Sequence, residues 1–128
     1  MKIRFLAVAV ACMGISSTAF ADEMCPVQIP DSYTCQSMLD NLNKVLEICH
    51  KDIISYQIKN NSFDKNFTNA ILANIQNEYA DAVYKKNCPE EAKKLYLNVI
   101  DTYTGSAYES AREHAMIGIQ DIRDSQKK

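Results

Sequence analysis

The chain has 128 residues, with 14 Lys and Arg against 16 Asp and Glu, for a formal net charge of −2. That length suits one domain with one core, and an acid-leaning charge speaks against nucleic-acid binding, which needs a basic face for phosphates. No stretch reaches the ~18 consecutive apolar residues of a membrane span.

The N-terminus reads as a secretory signal. Lys2 and Arg4 precede the apolar run FLAVAVACMGIS, and Ala19-Phe20-Ala21 is a small-residue cleavage site before Asp22. Residues 1–21 are therefore expected to leave, placing a single helical domain, 22–128, in the periplasm or outside the cell. A competing lipoprotein-type cut at Cys12 would leave a very short apolar run. Cleavage after Ala21 removes two basic and no acidic residues, so the 107 that remain carry 12 against 16 and a charge of −4.

Cys25, Cys35, Cys49 and Cys88 then remain, an even number in an oxidising compartment, which predicts two disulfides. Cys35 and Cys49 fall on one predicted helix, roughly 21 Å apart, too far for the ~7 Å limit between bridged Cα atoms. Folding that helix back at Asn60-Asn61 brings Cys35 and Cys88 to the same end of a hairpin. The preferred pairing is Cys35–Cys88 with Cys25–Cys49. Cys25–Cys35 with Cys49–Cys88 is the competitor and needs a broken first helix. With no C-x₂-C or C-x-x-C spacing, neither a zinc centre nor a dithiol redox motif is expected.

Helix one is predicted over Tyr33–Gln57, capped by Asp31 or Ser32. Its apolar positions Met38, Leu42, Val45, Cys49, Ile53 and Tyr56 recur at helical spacing. Asn60-Asn61-Ser62 makes the turn, with Ile58 and Phe63 as a hydrophobic staple across it. Helix two carries Phe63, Phe67, Ile71, Ile75, Tyr79 and Val83 at every fourth position. Pro89 opens helix three, Glu90 and Glu91 fill its first turn, and Ala92, Leu95, Tyr96, Val99, Ile100 and Tyr103 form its inner face. Gly105 suits a left-handed exit, and Ser106 with Glu109 forms a capping box for helix four. Ala107, Ala111, Ala115, Ile119 and Ile122 face inward there, and Gly118 implies a close helix crossing. No segment alternates with strand period. The fold class is all-α: a four-helix, disulfide-stapled bundle or a stack of helical hairpins.

Ala70–Tyr103 spans 34 residues and includes NEYADAVYKKNCPEEAKKLYLNVIDTY. With LYLNVIDTYTGSAYESAREHAMIGI after it, the region of about 70–122 resembles the tetratricopeptide repeats of exported bacterial cell-envelope proteins. Ala92 stands at the small-residue crossing position and Tyr96 at the large aromatic one. Thr104 departs from the usual Pro, and the Trp-Leu-Gly start is missing. The resemblance implies a hairpin stack that binds a partner protein through its concave face. Seven tyrosines and no tryptophan suit such a face, with Tyr84 and Tyr108, beside the main stripes, as candidate contacts.

Chemistry is sparse. His50 with Glu47 one turn before it is the only acid–base pair singled out, and a surface histidine beside a carboxylate reads the same way. His114 beside Glu113 is equally ordinary. Met24, Met38 and Met116 lack the spacing of a copper site. No phosphate loop, nucleophile elbow or paired catalytic carboxylates occur. The expectation is a small secreted or periplasmic non-enzymatic protein, without cofactor, that binds another protein as adaptor, inhibitor, immunity protein or assembly factor. The alternatives are a carrier of a small ligand or metal between helices, or an enzyme using His50 and Glu47.

Overall fold

The computed structural model describes residues 29–30 and 32–127. The expected signal segment, Cys12, Met24, Cys25 and Asp31 lie outside the described residues. Four helices follow in order: α1 (Cys35–Lys59), α2 (Lys65–Lys85), α3 (Pro89–Thr102) and, after a 3₁₀ turn over Ser106–Tyr108, α4 (Glu109–Gln126). No strand occurs among the described residues. The molecule is an all-α four-helix bundle, as its periodicity predicts. Its α1 packs on α2, α3 lies between α2 and α4, and α1 does not touch α4.

Local chemistry sets the ends of the helices. Thr34, rather than Asp31 or Ser32, caps α1, its hydroxyl accepting from the Ser37 N–H at 3.0 Å. Asp64 caps α2 by accepting from Asn66 N–H at 3.0 Å and Phe67 N–H at 3.4 Å. Two asparagines end the first two helices in left-handed backbone, Asn61 at φ 56° and Asn87 at φ 67°. Each closes a Schellman motif. Ser62 N–H bonds Gln57 O at 2.9 Å and Asn61 N–H bonds Ile58 O at 3.1 Å. Cys88 N–H and Asn87 N–H bond Val83 O and Tyr84 O at 3.3 and 2.9 Å. The second motif delivers Cys88 as the N-cap of α3, with Pro89 in the first turn.

The third connection differs from its expected form. Gly105 has φ −74°, so it is not a left-handed exit, and neither it nor Tyr108 makes a side-chain cap. A 3₁₀ turn replaces the Ser106–Glu109 capping box. The Arg112 guanidinium satisfies the end of α3, donating to Tyr103 O at 2.6 Å and Gly105 O at 2.7 Å. The expected staple is likewise absent as a buried contact: Ile58 and Phe63 are 69% and 65% exposed.

The main core gathers Met38 and Leu42 of α1, Tyr79 and Val83 of α2, Leu95, Tyr96 and Val99 of α3, and Ala115, Ile119 and Ile122 of α4. A smaller cluster of Cys49, Ile53, Ile71 and Ile75 seals the far end of the α1–α2 hairpin. Cys35 and Cys88 are joined by a disulfide across 53 residues, with Cα atoms 5.8 Å apart, the preferred pairing. Cys49 is buried and also disulfide-bonded. Gly118 is buried where α4 crosses α3. A Cβ there would lie 2.4–2.8 Å from the ring carbons of Tyr96, so the close crossing expected from this glycine is present.

Candidate functional site

The helix α2 is central, and this decides where polar chemistry collects. Packed by α1 on one side and by α3 and α4 on the other, it buries Gln76 and Asn77 along with its apolar stripe. Gln76 Nε2 donates to Leu95 O at 3.1 Å and to Asn98 Oδ1 at 2.8 Å. Three rungs, one turn apart along α2, then tie it to α4. Asn77 Nδ2 donates to Ala111 O at 2.9 Å. Asp81 meets His114, whose Nε2 is 3.1 and 3.0 Å from the two carboxylate oxygens. The Tyr84 and Ser125 hydroxyls lie 2.6 Å apart.

The middle rung is the floor of an open cleft of about 330 Å³. Tyr96 rises into it from α3, its ring against Gly118 and its hydroxyl donating to Asp81 Oδ1. Tyr84 and Lys85 form one wall, from α2, and Ile117 and Asp121 the other, one turn and two turns after His114. Ile117 is 63% exposed, a large apolar side chain on the rim of a polar cleft. A second open depression, of about 460 Å³, continues from Tyr84 and Lys85 toward Ser125 and Gln126, so the groove follows most of α4.

The three floor residues perturb one another. Burial works to raise the Asp81 carboxyl, but hydrogen bonds from His114 and Tyr96 outweigh it and hold the group below the usual carboxylate range. The bond to Asp81 lifts His114 above the usual imidazole value against the opposing effect of burial. Burial first, and Asp81 second, push the Tyr96 phenol far up, so it stays a protonated donor. The arrangement can hold a proton on His114 next to a fixed carboxylate. The cleft is lined by no Ser, Thr or Cys, and its ionisable side chains are Asp81, Lys85, His114 and Asp121 with the phenols of Tyr84 and Tyr96.

The residues singled out from the sequence fall elsewhere, with one exception. Tyr84 lines both depressions. Tyr108 spends its hydroxyl inside the molecule, donating to Asn66 Oδ1 at 2.9 Å and accepting from Asn69 Nδ2 at 3.3 Å, with its ring edge-on to Tyr103. Glu47 and His50 are both exposed on α1, with no hydrogen bond or ion pair between them among the described residues. Asp81 carries no signal in the sequence, since its partners stand 15 and 33 positions away. Cysteine spacing also misses one cluster: ligand atoms of Cys35, Cys88 and Glu91 all lie within 4.8 Å of one another.

No protein-family model, curated protein or solved structure matches the chain.

Proposed function

We propose that this is a small exported, non-enzymatic helical protein that binds a partner protein through the α2–α4 groove. The observation that supports this most is the pairing on one rim of exposed Ile117 with a floor whose polar groups are already fixed by Asp81, His114 and Tyr96. A rigid polar floor beside an apolar anchor point suits recognition, where preorganised groups lose little freedom on binding. The tetratricopeptide resemblance points the same way. In such a stack α2 and α4 are the first helices of successive pairs and line the concave side, with α3 behind them. Tyr84, on both depressions, is the aromatic contact this reading favours.

A photo-crosslinker at Ile117 should capture a defined cell-envelope partner that the same group at exposed Ile48 of α1 does not, and Tyr84→Ala should weaken the capture. Equal capture from both positions, or none from either, removes the reading. The carrier reading has two supports. The cleft sits at the lower end of ligand-sized volumes, ~300–1,000 Å³, and Cys35, Cys88 and Glu91 bring three metal-type ligand atoms together, two of them joined in the disulfide. Native mass spectrometry of protein from the cell envelope tests the small-ligand form, a bare chain mass counting against it.

A further inference from the structure

The donor set at the start of α3 goes beyond the groove reading and does not depend on it. Cys35 is the first residue of α1 and Cys88 the N-cap of α3, so two helix N-termini converge on the pair of sulfurs. Helix N-termini favour negative charge, here that of thiolates. Glu91, in the first turn of α3, brings its carboxylate within 4.8 Å of both sulfurs. It makes no hydrogen bond or ion pair among the described residues. While the sulfurs are bonded to each other they are not thiolate ligands. We propose that Cys35, Cys88 and Glu91 form a redox-gated site for a zinc-class divalent cation, closed by the disulfide and opened by a dithiol reductant.

A thiolate of the reductant attacks Cys35 Sγ, the more accessible sulfur, since Cys35 is half-buried and Cys88 3% exposed. The Cys35–Cys88 bond breaks and Cys88 leaves as a thiolate at the α3 N-terminus. The reductant's second thiol displaces Cys35 and departs as a cyclic disulfide, having supplied two electrons. The cation then takes both thiolates and the Glu91 carboxylate, any thiol protons going to solvent. Tetrahedral metal–sulfur bonds of ~2.3 Å place two sulfurs roughly 3.8 Å apart. The Cα atoms of Cys35 and Cys88 are 5.8 Å apart. A fourth position stays open for water. Re-oxidation by a disulfide reverses the sequence and expels the cation, so metal and cystine alternate as the clamp between α1 and α3.

The test uses the full chain, reduced with dithiothreitol, freed of reductant under argon and titrated with Co(II) as a zinc-class probe. The reduced protein should take one ion with a thiolate-to-cobalt charge-transfer band, and the oxidised protein none. Glu91→Gln should weaken binding by about tenfold or more, Cys88→Ser should abolish the band, and a Cys25→Ser/Cys49→Ser variant should keep it. No band in the reduced protein, or an equal band in Cys88→Ser, overturns the proposal. If reduction melts the helices, recovery of the far-ultraviolet dichroism on adding cobalt supports the site, and failure to recover counts against it. None of these outcomes bears on capture at Ile117, so this proposal and the groove reading fail separately.

Discussion

Gly118 and Tyr96 decide the geometry of the cleft together. In an exposed helix, Gly→Ala gains about 1 kcal/mol from backbone entropy. Here the added methyl meets the Tyr96 ring at 2.4 Å, and that ring is buried and tied to Asp81. Gly118→Ala should therefore destabilise the protein by about 1–3 kcal/mol, as overpacking does. In urea unfolding, Tyr96→Leu should relieve part of that cost, giving a non-additive pair. An unchanged or raised midpoint for Gly118→Ala alone would contradict the close crossing. The Asp81–His114 pair makes a pH prediction. His114 is raised in the fold, so its contribution is complete below the ordinary imidazole value near 6.5 and fades as pH climbs through the folded pKa. Asp81 is lowered, so its contribution is complete above about 4 and fades as pH falls through its own folded pKa. The stability gap between the native protein and His114→Gln should be widest between these limits and shrink by pH 9. Both side chains are 41% exposed, so solvent screening keeps the gap below about 1 kcal/mol. A gap independent of pH would mean that the ion pair contributes nothing.

At the level of elements, the turns are where composition misleads and conformation decides. Glycine was expected to end a helix, yet the left-handed positions fall to Asn61 and Asn87, while Gly105 sits in extended backbone. Asparagine tolerates this region because its short polar side chain can bond locally, whereas alanine loses about 1–2 kcal/mol there. Asn87→Ala should cost about 1 kcal/mol in chemical denaturation and Asn87→Gly less than half as much. Equal losses would show that the side chain, and not the backbone angle, matters. Helix count, helix order and the Cys35–Cys88 bond were legible because they follow from periodicity and hairpin length, both local quantities. The capping of α3 was not, since the Arg112 guanidinium does that work from seven and nine residues downstream. Nor was the burial of Gln76 and Asn77, which depends on α2 having neighbours on both sides. The candidate cleft was the least legible part. Asp81, Tyr96 and His114 come from three helices, and each looks like an ordinary surface or core residue within its own segment.

For the whole molecule, the order of packing sets how stability is shared. The helices α2, α3 and α4 pack mutually, whereas α1 leans on α2, touches α3 lightly and does not reach α4. The buried Gln57–Thr68 contact, the Tyr79 hydroxyl bond to Met38 O at 2.5 Å and the Cys35–Cys88 bridge hold α1 in place. A cystine closing 53 residues stabilises by about 4 kcal/mol in the chain-entropy account. That is a large share of the ~5–15 kcal/mol typical of a small domain. Its loss should not be felt evenly. The Cys35→Ser/Cys88→Ser variant leaves Cys49 in its own disulfide and frees only the N-terminal end of α1 from α3. Amide exchange in native conditions should then quicken most over the first turns of α1, to about residue 45. It should quicken less over Ile71–Val83 of α2, and least over α4 and the part of α3 beyond its Cys88 cap, whose packing on each other does not involve the bridge. The midpoint in urea should fall and the slope should rise somewhat, since the unfolded chain freed of the bridge is less compact and exposes more surface. Equal acceleration in all four helices would mean that α1 is an integral part of one cooperative unit. The α2–α4 groove would then depend on the disulfide. If α1 alone loosens, the groove and its Asp81–His114–Tyr96 floor persist in the reduced molecule.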